Sequence, residues 1–287
     1  MQATRDLDRG RTTPEAVEEQ AAADFREFVR VQEEAGLDLL ADGLLTWQDL
    51  FRPLVEASAG LTARPLVRFL DTNTFYRAVL VDAEPKLQRP LPAPALPSGR
   101  WLATLPSPYA FSRAADREVS AESLAANVLA PQIEAYAEAG CALVVLAEPF
   151  LTREASGLPA LVAALAELPR PVPLMLSLPF GDAAPLLSEL GDAGLAGIGV
   201  DLYGTRVDAV PQGLEATLLA GVVDARSSAL EDATELATFA DELRGRVAGE
   251  IVLIPNGDLQ FVSERIAREK VLTLGRARTA SPKEAVA

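Results

Sequence analysis

The strongest constraint on the fold is a rhythm. Short, nearly continuous apolar runs alternate with amphipathic stretches along most of the chain. This is the pattern of successive βα units, because a parallel strand covered by helices on both faces loses its polar/apolar alternation. Seven runs read as strands: LDLLADG from Leu37, WLATLPS from Trp101, ALVVLAEP from Ala142, PLMLSLPF from Pro173, GIGVDLYG from Gly197, ATLLAGVVDA from Ala216 and EIVLIPNG from Glu250. The intervening stretches predict helices over Pro14–Ala35, Ser120–Ala139, Leu158–Leu168, Ala229–Val247 and Ser263–Arg278. Thr13 with Pro14 suits a helix start, and Gly36, Gly140 and Gly194 suit helix ends.

A chain of 287 residues built this way is the size of one α/β barrel of the (β/α)8 type, so one domain over residues 1–287 is expected. Only the first of eight strands is missing or atypical. Either a few residues such as Met1 to Leu7 cover that gap, a partner chain does, or the barrel stays open there. Residues 64–100 break the rhythm, with LVRFLDTNTFYRAVLV followed by the proline-rich KLQRPLPAPALP. They predict an excursion over one barrel rim that ends in a stiff extended connection. The final SPKEAVA reads as a frayed tail.

Composition removes whole classes of chemistry. The chain has no histidine and one cysteine, which excludes histidine-based triads and dyads, HExxH zinc sites and an internal disulfide. A net charge of −15 with no basic stripe argues against nucleic acid and anionic membrane partners. No apolar run approaches the roughly 20 residues of a membrane span, and no signal-peptide core is visible, so a cytoplasmic setting is expected.

Eight short elements, in order along the chain, carry a resemblance to a known family. They are AGLDLLADG at 35–43, RFLDTNTFYR at 68–77, LPSPYAFSR at 105–113, AEPFL at 147–151, LSLPFGD at 176–182, GVDLYG at 199–204, AGVVDAR at 220–226 and IPNGDLQFVSERIAREKV at 254–271. Each lies at or just beyond the carboxyl end of a strand. In these the chain resembles the cobalamin-independent methionine synthases. The resemblance implies a barrel related to uroporphyrinogen decarboxylase that handles homocysteine and a reduced folate or methylated corrinoid. It also implies a zinc ion held by a His-x-Cys pair, a glutamate and a later cysteine. Here Ser177 and Pro179 stand at the His-x-Cys pair, Asp201 at the glutamate and Gly257 at the cysteine. That donor set does not hold zinc tightly, so zinc is not expected and no other cofactor is assigned. Cys141 opens its strand, at the face opposite a barrel's active site, and reads as a core residue. The DTNTFY and VVDAR elements are most similar to the amino-terminal barrel of the two-barrel enzymes, which lacks the zinc ligands and contributes to folate binding.

Several strand-end residues are candidates for a site. Glu148 ends an otherwise apolar strand, where burial would raise its pKa and suit acid–base work, with an arginine-paired structural role as the alternative. Asp201 is the second candidate catalytic group. Asp71, Asn73 and Tyr76 form a polar cluster after an apolar run, and with Ser177, Asp224 and Asn256 they are candidates for binding a small-molecule ligand. Asp201 and Asp224, with Glu148, would ring one mouth with carboxylates able to hold a hard cation or an ammonium group. Arg226 would neutralise Asp224 as a structural pair. GLAGIG at 194–199 precedes a strand instead of opening a helix, so it reads as a helix-to-strand turn and not a phosphate loop.

The expectation is a methionine-synthase-like barrel binding a pterin-, corrinoid- or amino-acid-like ligand, with methyltransferase chemistry that does not use zinc-bound thiolate. Two alternatives stay open. One is a non-catalytic binding or interaction module that recruits a second copy or another partner at the incomplete barrel edge. The other is a carboxylate-based lyase or decarboxylase, by analogy of fold.

Overall fold

Nearly every apolar run becomes a strand of one parallel sheet, and their burial explains why. In the computed structural model, which describes residues 10–115 and 119–280, these are β1 (Leu40–Ala41), β4 (Trp101–Pro106), β5 (Leu143–Ala147), β6 (Leu174–Leu178), β7 (Gly197–Asp201), β8 (Thr217–Val223) and β9 (Ile251–Pro255). All five residues of β7 are buried, as expected of a strand covered on both faces. Among the described residues the sheet runs β1-β4-β5-β6-β7-β8-β9, every neighbouring pair parallel. It is a mixed α/β fold whose seven-stranded sheet curls into an incomplete TIM-type barrel, with β1 and β9 as its edges.

The helices pack outside this sheet: α1 (Pro14–Glu34), α2 (Arg52–Glu56), α3 (Pro108–Arg113), α4 (Ala121–Leu124), α5 (Ala130–Glu138), α6 (Leu158–Ala166), α7 (Leu187–Gly191), α8 (Ala233–Arg244) and α9 (Glu264–Thr279). The helix expected over Ser120–Ala139 is interrupted by a π segment, Ala125–Leu129. Pro131 explains it, since proline lacks the N–H that an α-helix would bond four residues back. Gly194 closes α7's turn with φ +67°, so GLAGIG is a helix-to-strand turn. Cys141 is buried just before β5.

The largest departure from the sequence expectation lies before β4. Residues expected only as an excursion form a long antiparallel hairpin, β2 (Ser58–Arg68) and β3 (Phe75–Leu87), which begins six residues before Arg64. Two register shifts and the prolines at 65 and 85 disguise its alternation. Residues 88–100 then run without regular structure to β4.

The open edge at β1 is sealed by a side chain. The Gln32 amide of α1 accepts a hydrogen bond from Ala41 N–H at 2.8 Å and donates one to Ala41 C=O at 2.9 Å. It takes the place of a peptide unit in an adjoining strand, so the edge keeps its bonds without one. Nearby, Arg268 of α9 reaches Glu27 and Glu34 of α1 at 2.6 and 2.9 Å. A Cβ at Gly275 would overlap the Ala35 carbonyl, so glycine is what lets α9 approach the end of α1. The stretch Met1–Leu7 and the tail 281–287 lie outside the described residues. No helix among the described residues is long and apolar enough to cross a membrane.

Candidate functional site

Parallel strands point their carboxyl ends to one rim, so the residues just past β4 to β9 converge there. Glu148 follows β5 and is fully buried. Its Oε1 accepts main-chain N–H bonds from Phe150 at 2.9 Å and Leu151 at 3.1 Å, and its Oε2 accepts the Ser107 hydroxyl. Ser107 is the N-cap of α3 and in turn accepts Ala110 N–H at 2.9 Å. Burial pushes the Glu148 carboxyl up to about 7, against these hydrogen bonds, which favour the charged form. Its partners are a hydroxyl and the backbone, and not the arginine foreseen as its structural alternative.

Asp201 closes β7 and is also buried. Its Oδ1 accepts N–H bonds from Tyr203 at 2.9 Å and Gly204 at 3.3 Å, and the Asn256 amide at 3.1 Å. Asn256 is buried too, and its Oδ1 accepts Ala225 N–H at 2.9 Å. Asp201 and Asn256 thus form one network joining the ends of β7, β8 and β9. Asp224, half-buried, accepts Arg226 N–H at 2.9 Å and donates its own N–H to Glu231 at 2.9 Å. Lys270 of α9, fully buried, holds Glu231 at 2.8 Å and Ala229 C=O at 2.7 Å. Ser177 is half-buried in β6, and its carbonyl accepts Glu148 N–H at 2.8 Å.

Three expected groupings are corrected. The Asp224–Arg226 contact runs through the main chain, while the Arg226 guanidinium lies 4.6 Å over the ring of Phe180. Among the described residues no group of three or more His, Cys, Asp or Glu could hold a metal ion, so the carboxylates do not form a cation-binding ring. Their oxygens are engaged by groups of the protein itself: main-chain N–H groups for all three, with the Ser107 hydroxyl at Glu148 and the Asn256 amide at Asp201. The cluster Asp71, Asn73 and Tyr76 also divides. Asp71 and Asn73 are exposed at the hairpin tip, whereas Tyr76, one strand position past Phe75, turns inward against Phe51 and Phe69 at 5.3 and 6.3 Å. Burial raises the Tyr76 phenol.

The hairpin tip is fastened to the rim. Asp71 pairs with Arg153, in the loop after β5, at 2.9 Å, and Phe69 packs edge-on against Phe150 at 6.2 Å. Its own backbone hydrogen bond and then the Arg153 charge hold the Asp71 carboxyl below the usual range, and Arg226 adds to this. Phe180 sits in the left-handed region at φ +58°, buried against Phe261 at 5.5 Å. A Cβ at Gly257 would overlap the Phe180 ring. The sequence reading missed Ser107, Arg153 and Phe180. Ser107 alone carried a local signal, the Ser-Pro step that opens many helices.

No family model matches the chain, and no curated protein matches it. Solved structures do. A B12-independent methionine synthase from Shewanella sp. W3-18-1, in complex with selenomethionine, superposes with a TM-score of 0.76 at 16% identity, covering 94% of this chain and 89% of that one. A putative vitamin-B12 independent methionine synthase from Listeria monocytogenes does so with a TM-score of 0.66 at 16% identity, covering 97% and 92%. The fold is that of these methionine-synthase barrels. At such identity the likeness is one of architecture, and the site has to be argued from its own residues.

Proposed function

We propose that the chain is a methionine-synthase-like barrel protein that binds a pterin-, corrinoid- or amino-acid-like molecule at its carboxyl-terminal rim, without zinc-thiolate chemistry. The observation that carries this reading is the fastened rim. Asp71–Arg153 and Phe69–Phe150 clamp the hairpin tip beside the β5 end, and Arg226 also acts on Asp71 while stacked on Phe180. Two guanidinium groups among aromatic faces suit a ligand with a carboxylate and a planar or apolar body.

The positions that the resemblance assigns to zinc do not fit the metal. Ser177 and Pro179 supply neither imidazole nor thiolate. The Asp201 Oδ1 is engaged by two main-chain N–H groups and Asn256. Any side chain at 257 would displace the Phe180 ring. The second reading, a binder without turnover, is favoured by one specific observation: the two candidate acid–base groups, Glu148 and Asp201, are buried and hydrogen-bonded within the protein.

Calorimetric titration with homocysteine, methionine, a reduced folate and a methylated corrinoid tests the proposal, with Arg153→Ala and Arg226→Ala alongside. One of these ligands should bind, and each variant should weaken it about tenfold or more through loss of a charge-assisted contact. Binding of none, or binding indifferent to both arginines, overturns the reading. Methionine formation from homocysteine and a methyl donor in the presence of a chelator separates the catalytic from the non-catalytic version.

A further inference from the structure

Among the described residues the exposed large hydrophobic side chains are Leu45, Leu66, Val67, Phe75, Tyr203 and Leu230. Leu66, Phe75, Tyr203 and Leu230 gather on two surfaces of opposite charge. Leu66 and Phe75 lie on one face of the hairpin where β2 ends and β3 begins, and the register sets Leu66 opposite Arg77 and Phe75 opposite Arg68, while Val67, opposite Tyr76, is on the other face. The Arg68 guanidinium lies 5.8 Å over the Phe75 ring. The hairpin therefore presents an apolar, basic face on a chain whose net charge is −15.

The second surface is a groove of about 470 Å³ lined by Tyr203, Leu236, Phe239, Glu235 and Glu242 among others. Leu230 precedes Glu231, another of its lining residues. Residues 202–216 join β7 to β8 through a single 3-10 turn, Val207–Ala209, where a βα unit would place a helix. The groove lies between that connection and α8, and it combines apolar side chains with carboxylates.

We propose that the hairpin face of one copy docks in the β7–α8 groove of a second copy. Each surface leaves apolar side chains in water, which association would cover. Their charges choose the pairing. Hairpin against hairpin sets arginine against arginine, groove against groove sets carboxylate against carboxylate, and only hairpin against groove joins opposite charges. Contact between two different patches is heterologous, giving a closed pair if it is reciprocal and a longer assembly if it is not.

Sedimentation velocity over a concentration series at low and high salt tests this. The weight-average mass should rise above the 30.4 kDa of one chain at low salt and fall back as salt is added. Arg68→Glu alone and Glu242→Arg alone should each weaken association about tenfold or more, and mixing the two variants should restore it. Both positions are exposed, so circular dichroism of each variant should match the parent. A mass of 30.4 kDa at every concentration overturns the proposal, as does association that ignores both substitutions or is not recovered in the mixture.

Discussion

Replacing Glu148 by glutamine should remove a pH dependence of stability that its burial imposes. The carboxyl is fully buried, and desolvation raises it from 4.5 to about 7. One pKa unit corresponds to about 1.4 kcal/mol, so ionising Glu148 in the folded state costs about 3 kcal/mol relative to the unfolded chain. The direction follows from which state holds the proton more tightly. Between pH 4.5 and about 7 the folded protein keeps it while the unfolded chain releases it. Stability is therefore complete below that window, falls as pH rises through it and is level above it. Glutamine keeps an acceptor for the Phe150 and Leu151 N–H groups and has no proton to lose. Urea denaturation of parent and Glu148→Gln, followed by the fluorescence of the buried Trp101, gives the difference in unfolding free energy at each pH. Low protein concentration avoids precipitation near the sequence pI of 4.5. The variant should gain about 3 kcal/mol on the parent from the acid to the alkaline end of the window. A difference that stays constant across it would refute the reasoning and place Glu148 in contact with water.

Three further substitutions probe the rim and the open edge. Gln32→Leu leaves the Ala41 N–H and C=O without partners at the edge of β1 and should cost about 2 kcal/mol in urea unfolding. Asn256→Ala strips one donor from Asp201 and the acceptor from Ala225 N–H, and should lower the urea midpoint by an amount equivalent to about 2 kcal/mol without changing the slope. Lys270→Met strands the nearly buried Glu231 and should cost about 3–5 kcal/mol, and the double variant Lys270→Met/Glu231→Leu should regain most of it. If the double variant is no more stable than the single, the cost of the Lys270 substitution does not come from stranding Glu231.

The strands of the parallel sheet were legible because burial on both faces leaves a continuous apolar signature, as in β7. The hairpin was not, because arginines, prolines and register shifts break its period-two pattern. The rim positions of Glu148, Asp201 and Asn256 followed from their places at strand ends, but what each does there depends on partners distant in sequence. Ser107 is 41 residues from Glu148, and Arg153 is 82 from Asp71. Periodicity carries no information about such pairs. Nor could it reveal that a ring, Phe180, fills the space beside Gly257. Nothing in the sequence around Gln32 marks it out on its helix, and only the geometry of β1 shows it standing in for a strand.

The zinc content of protein purified without chelator and dialysed against metal-free buffer is the most direct test of the account. Elemental analysis should find far less than one zinc per chain, with homocysteine present or absent. One tightly held zinc per chain would contradict it, because Ser177, Asp201 and the Phe180-blocked position at Gly257 would then have to rearrange into a metal site.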